Sequence, residues 1–278
     1  MVKIVAVFDG LKFSEATLAQ SLFLAKNQPA HLVGLFMEDF TYQSFSKYKA
    51  IARDKLSDSE IAAMEAKDEQ TRKASRERFI AVCQQAGVEH SVHKDSNVAF
   101  QVFVQESIYA DMVIIDPKET FTPYDEEPPT NFIREVLAAT ECPVFLVPDA
   151  KPVEKAVLLF DGSPNSVYAI KQFSYVMNSV KGLEIEVLTV TEEGGNKHLP
   201  DNRLMKEFMK RHFPAAAFRV IQGKVPEIEI IEALRNDNGK SLVVLGAYKR
   251  GLVSRWFKES MADILMRNLK NPLFIAHG

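Results

Sequence analysis

Lys3-Ile4-Val5-Ala6-Val7-Phe8-Asp9-Gly10 and Ala156-Val157-Leu158-Leu159-Phe160-Asp161-Gly162 decide the fold. Each is a short apolar run, rich in β-branched residues and closed by Asp-Gly, which reads as a buried strand ending in a turn. Asp9 and Asp161 lie 152 positions apart, and the correspondence continues along the chain. Met112-Val113-Ile114-Ile115 is answered by Leu242-Val243-Val244-Leu245, and Pro143-Val144-Phe145-Leu146 by Pro272-Leu273-Phe274-Ile275. Two copies of one domain, over 1–149 and 153–278, account for the pattern. Pro148-Asp149-Ala150-Lys151-Pro152 reads as an extended linker between them.

Outward from the two Asp-Gly turns, Ser14 and Ser166 stand at matching offsets, each suited to cap the helix that follows. Second strands are expected over 31–37 and 183–190, third strands over 90–93 and 218–221, and fourth strands over 112–115 and 242–245. A helix separates each first strand from its second, so the connection is a βαβ crossover and the sheet is parallel. The offset falls from about 152 to about 130 by Asp111, which puts an insertion of roughly twenty residues between Phe40 and Val92 of the first copy. Asp58 to Ala86 lacks Gly and Pro and predicts a long helix, with Ile61, Met64, Phe79 and Val82 available for burial.

The 278-residue chain is 46% apolar and carries a formal charge of −3, which speaks for a globular protein and against wholesale nucleic-acid binding. Cys83 and Cys142 lack metal-site spacing and suit a reducing, cytoplasmic setting. No apolar run is long enough to span a bilayer. His90 and His93 fall on opposite faces of a strand, so no metal site is expected there. Neither a Walker-type phosphate loop nor a Gly-x-Ser-x-Gly nucleophile elbow occurs, and no catalytic residue is assigned.

Asp161-Gly162-Ser163-Pro164, Gly223-Lys224-Val225-Pro226, Val243-Val244-Leu245-Gly246 and the tail from Ser260 through Asn271-Pro272-Leu273-Phe274-Ile275 resemble the universal stress protein family. The resemblance covers both halves. It implies an α/β fold of two tandem, open, parallel five-stranded sheets flanked by helices, as in the adenine nucleotide alpha hydrolase-like proteins. It also implies ATP at the C-terminal ends of the strands in some members and none in others. Pairing of the domains through their last strands, and a homodimer, are further implications of the family.

Nucleotide-binding members carry a glycine, two residues, a second glycine, nine residues and then Gly-Ser or Gly-Thr. Glycines let backbone N–H groups approach phosphate, and the helix that follows favours the negative charge. In the second copy Gly246 keeps the first position, Lys249 replaces the second glycine, and Glu259-Ser260 replaces Gly-Ser. Lys249 and Arg250 offer positive charge and Gly251 can move the tight turn. The resemblance puts Asp161 and Gly162 beside the nucleoside and Val190 beside the adenine edge. The basic stretch also reads as a solvated loop, and Asp161 as a strand-end turn residue.

The first copy has no glycine between Val88 and Asp161. Its loop reads Asp116-Pro117-Lys118-Glu119 and then Tyr124-Asp125-Glu126-Glu127-Pro128-Pro129, with Thr130-Asn131 in the Gly-Ser position and the helix cap there only partly kept. Acidic side chains repel phosphate and prolines remove N–H donors. The expectation is a stress-response or regulatory binding protein, not an enzyme, with a nucleotide site in the second copy only. One alternative is a nucleotide-free scaffold that binds a protein or an apolar ligand through the insertion, where Met37, Phe40, Tyr42, Phe45 and Tyr48 stand out. Another is a nucleotide hydrolase. Trp256-Phe257 reads as packing within its own domain.

Overall fold

The computed structural model describes residues 1–37, 43–45, 51, 56–95, 98–177, 182–195, 197–235, 239–247 and 260–278. The chain divides into two compact units, Met1–Glu141 and Cys142–Gly278. Both are α/β, and eight helices accompany ten strands among the described residues.

The first unit runs β1 (Val2–Asp9), α1 (Glu15–Asn27), β2 (Ala30–Met37), α2 (Asp58–Ala86), β3 (His90–Asp95), α3 (Ala99–Ile108), β4 (Met112–Ile115) and α4 (Asn131–Ala139). Its strands lie in the order β3-β2-β1-β4, all parallel. β1 and β4 are continuous apolar runs because helices cover both sheet faces; Ile4 to Phe8 and Met112 to Ile115 are almost wholly buried. The rings of Phe8 and Phe36 stack at 5.2 Å, and Phe79 of α2 meets both edge-on at 5.6 and 6.0 Å. Gly34 of β2 lies beneath Phe79, so that a Cβ there would sit 2.7 Å from the ring.

α2 has the bounds its composition predicts, with Ser57 and Glu60 forming a reciprocal capping box and Gly87 ending it in the left-handed region at φ 66°. Its buried face differs from the expected one. Asp68, Ser75, Phe79 and Cys83 are buried, whereas Ile61, Met64 and Val82 are half-buried. The two polar residues are inward because they have partners. Asp68 accepts the Ser44 N–H at 2.8 Å and its hydroxyl at 2.5 Å, and Ser75 Oγ donates to the Gly10 carbonyl at 2.8 Å.

The second unit runs β5 (Val144–Leu146), β6 (Lys155–Leu159), α5 (Pro164–Met177), β7 (Glu184–Thr191), α6 (Asn202–His212), β8 (Ala217–Gln222), α7 (Pro226–Arg235), β9 (Ser241–Gly246), α8 (Met261–Asn268) and β10 (Leu273–Ala276). Its order is β5-β10-β9-β6-β7-β8, parallel except that β5 runs antiparallel to β10. The strands do not close into a barrel. Phe173 of α5 packs edge-on against Phe274 at 5.4 Å in the core.

Ser14 caps α1 as expected, its hydroxyl oxygen accepting the Thr17 N–H at 3.2 Å. Ser166 does not cap α5. The helix begins about one turn earlier, with Ser163 accepting the Ser166 N–H at 3.2 Å and Pro164 in the first helical position. Serine followed by proline is the stronger start signal, since the proline has no N–H to leave unsatisfied.

Candidate functional site

In the second unit β6 lies between β7 and β9. The chain leaves β6 through α5 to reach β7 on one side, and the strand on the other side, β9, arrives later. The connections therefore diverge at the C-terminal ends of β6 and β9, and such a reversal opens a crevice where ligands bind in open α/β sheets. β6 and β9 pair in register from Lys155 opposite Ser241 to Leu158 opposite Val244. Asp161 and Gly162 just beyond β6, and Gly246 at the end of β9, are thus brought together at this reversal.

Asp161 is exposed, and its Oδ1 accepts the Ser163 N–H at 2.8 Å. Partial burial pushes its carboxyl up, but hydrogen bonds from Ser163 and Ser166 outweigh that and hold it below the usual aspartate value. Gly162 is left-handed at φ 81°, and a Cβ would sit 2.7 Å from the Pro200 ring, so both conformation and space require glycine. Gly246 is required for a different reason. A Cβ there would lie 2.6 Å from the backbone carbonyl oxygen of Asn165, in the first turn of α5. This glycine permits close helix-to-strand packing.

Val190 is half-buried near the C-terminal end of β7, in register with Ile221. Its neighbour Thr189 is buried and donates to the Phe160 carbonyl at 2.7 Å, tying β7 to the strand end that carries Asp161. Ser260 caps α8, accepting the Asp263 N–H at 3.2 Å, while the Asp263 carboxylate accepts the Ser260 N–H at 3.5 Å. Ser260 thus caps the start of α8. Lys249, Arg250 and Gly251, with Trp256, Phe257, Phe40, Tyr42 and Tyr48, lie outside the described residues.

The matching reversal in the first unit, at the C-terminal ends of β1 and β4, is filled by the chain's own side chains. Asp9 is buried with 1% of its surface exposed, and its Oδ1 accepts the Leu11 N–H at 2.8 Å. Ser14 Oγ, besides capping α1, donates to Asp116 Oδ2 at 2.9 Å. Burial pushes the Asp116 carboxyl up, against the hydrogen bonds from Lys118 and Ser14. Glu119 folds inward with 5% exposed; burial raises it well above the usual range, and the charges of Asp9 and Asp116 add to the rise. Over Gly10, a Cβ would meet Arg72 Cγ of α2 at 3.0 Å.

The start of α4 is likewise occupied. Glu126 Oε2 accepts the Asn131 N–H at 2.8 Å, so an internal carboxylate sits where a helix N-terminus would hold an external anion. Thr130 corrects the sequence reading of a half-kept cap. Its fully buried hydroxyl accepts the Ile133 N–H at 3.2 Å and donates to the Glu119 carbonyl at 2.6 Å. The inward turn of Glu119 and the Glu126 contact were not read from the sequence. Charged residues are ordinarily exposed, and nothing in the local pattern marks an exception.

These features define an open α/β protein in which one strand reversal carries an exposed aspartate and two glycines and the other is filled by buried carboxylates. No protein-family model and no curated protein sequence matches the chain. Solved structures do match its fold. A universal stress protein from Archaeoglobus fulgidus DSM 4304 aligns with a TM-score of 0.70 at 17% identity, over 99% of this chain and 98% of that one. A functionally unknown protein from Pseudomonas aeruginosa PAO1 aligns with a TM-score of 0.61 at 13% identity, over 100% of this chain and 92% of that one. The fold is that of the universal stress proteins, across both halves of the chain. No helix among the described residues is long and apolar enough to cross a membrane.

Proposed function

We propose that the chain is a cytoplasmic stress-response or regulatory binding protein that takes an adenine nucleotide, ATP, in its second half alone. The observation that carries this reading is the contrast between the two strand reversals. At one, Asp161 is exposed and ionised beside Gly162 and Gly246. At the other, Asp9 and Glu119 are buried and Glu126 holds the helix N-terminus. Asp161 would accept hydrogen bonds from the nucleoside, Val190 would lie along the base, and the start of α8 at Ser260, with Lys249, Arg250 and Gly251, would face the phosphates.

Binding without turnover is the reading the local electrostatics favour. A carboxylate stabilised by Ser163 and Ser166 is a weaker base, and so a poorer acceptor for a water proton at neutral pH. Calorimetric titration of the full chain with ATP tests the proposal. We expect saturable binding, weakened about tenfold or more in Asp161→Ala and in Lys249→Ala, with no phosphate release above buffer. No saturable binding would overturn the nucleotide reading and favour the scaffold. Phosphate release that Asp161→Ala abolishes would make the protein a hydrolase, and full affinity in both variants would move the site elsewhere.

A further inference from the structure

The outermost strands, β3 in the first unit and β8 in the second, carry very different side chains. β3 reads His90-Ser91-Val92-His93-Lys94-Asp95, and two of its polar side chains are engaged: His93 Nδ1 lies 2.7 Å from Glu106 and Lys94 Nζ lies 3.8 Å from Glu69. Polar, engaged side chains of this kind discourage a further strand from adding to an edge. β8 reads Ala217-Phe218-Arg219-Val220-Ile221-Gln222, and Ala217, Phe218 and Arg219 are exposed. The Gly223 N–H donates to the Thr191 carbonyl of β7 at 2.9 Å. By strand alternation the backbone groups of Ala217, Arg219 and Ile221 also face β7, while those of Phe218, Val220 and Gln222 face away from the sheet. No described residue bonds these outward groups.

Two cations, Lys206 and Arg219, stand at this open edge. α6, which precedes β8, carries Arg203, Lys206, Lys210 and Arg211 against one acid, Glu207. All four cations are exposed, and none has an ion-pair partner among the described residues. Lys206 Nζ sits 5.8 Å from the centre of the Phe218 ring, which puts positive charge over one face of the strand. Arg219, exposed, lies on the opposite face. It lies 3.9 Å from Glu186, a carboxylate already bound by Lys155.

We propose that β8 receives an extended acidic segment of a partner protein as an added strand. Backbone groups of Phe218, Val220 and Gln222 supply the ladder, Phe218 and Val220 receive apolar side chains on their face, and Arg219 selects carboxylates on the other, with Lys206 adding to the positive potential of the edge. Self-pairing of β8 between two copies fits less well. It would bring Arg219, Lys206 and their neighbours in one copy against the same cations in the other.

The probe is a fluorescein-labelled peptide of alternating Glu and Val, long enough to run the length of β8, titrated into the full chain by anisotropy. We expect saturable binding that weakens with added salt and is lost when Gln replaces Glu in the peptide. Val220→Pro removes an outward N–H while leaving the β7 ladder intact, a position where an edge strand tolerates proline, and should weaken binding about tenfold or more. Lys206→Glu with Arg219→Glu, both at the surface, should abolish it with an unchanged circular dichroism spectrum. No saturable binding, equal binding of the Gln peptide, or full binding by Val220→Pro would overturn the proposal. So would self-association of the free chain that Val220→Pro abolishes, since the edge would then belong to a second copy.

Discussion

Glu119 has 5% of its surface exposed and faces the charges of Asp9 and Asp116, with Lys12 as an opposing charge. Its folded pKa stands well above the ordinary 4.5, raised first by burial and then by the two aspartates. The folded state therefore holds this proton more tightly than the unfolded chain does. The resulting stability is fully present below about pH 4.5 and is lost as pH rises through the folded value. Glu119→Gln keeps the shape, removes the ionisation and can donate to the neighbouring carboxylates. We expect its thermal midpoint, followed from pH 5 upward, to fall less steeply than that of the wild type and to equal or exceed it near neutrality; a parallel decline would show that Glu119 does not ionise within that range. Asp9 and Asp161 show why such detail was closed to sequence reasoning. Both are followed by glycine, and both accept an N–H two residues on at 2.8 Å. One is buried and one exposed because of residues far along the chain, Glu119 and the α2 side chains, which no local pattern connects to the turn.

Helix starts were more legible, because a cap is written within four residues. The α2 bounds and the Ser14 cap follow from local rules, as does the parallel direction of the strands, β5 excepted, from the run of alternating strands and helices. Thr130 extends the argument. Its buried hydroxyl serves the Ile133 N–H and the Glu119 carbonyl together, so Thr130→Ala leaves both without their partner and should cost about 2 kcal/mol in urea unfolding, with Thr130→Ser recovering most of it. Packing between elements was not legible. That Gly34 of β2 lies under the Phe79 ring depends on the path of α2 across the sheet. Gly34→Ala should cost roughly 1 to 3 kcal/mol through overpacking. In the Phe79→Leu background the same change should cost clearly less, and additive costs would mean that the ring and the glycine do not oppose one another.

At the scale of the molecule, the sequence correspondence ends the first copy at residue 149, whereas compactness divides the chain between Glu141 and Cys142. The difference is β5, three residues that pair antiparallel with β10 and belong to the second compact unit. Val144, Phe145, Leu146 and Val147 are each 1% exposed or less. A fragment beginning at Cys142 should therefore be more stable by about 2 kcal/mol or more than one beginning at residue 153. Equal melting of the two would show that β5 contributes nothing to the second unit. The site itself was half legible. Asp161, Gly162, Gly246 and Ser260 do gather around one strand reversal or cap the helix assigned to them, but their local roles include turn, packing and capping duties that the motif alone does not separate.

The Asn165 carbonyl, 2.6 Å from where a Cβ on residue 246 would stand, has a consequence for the history of such chains. Mutational drift at this position is barred by a neighbour's main chain, which cannot be substituted away. A lineage that gave up every ligand would still keep glycine there, whereas a residue held in place only by the ligand would be free to wander. Loss of function would thus leave its trace in the residues after the strand and none at the glycine that ends it.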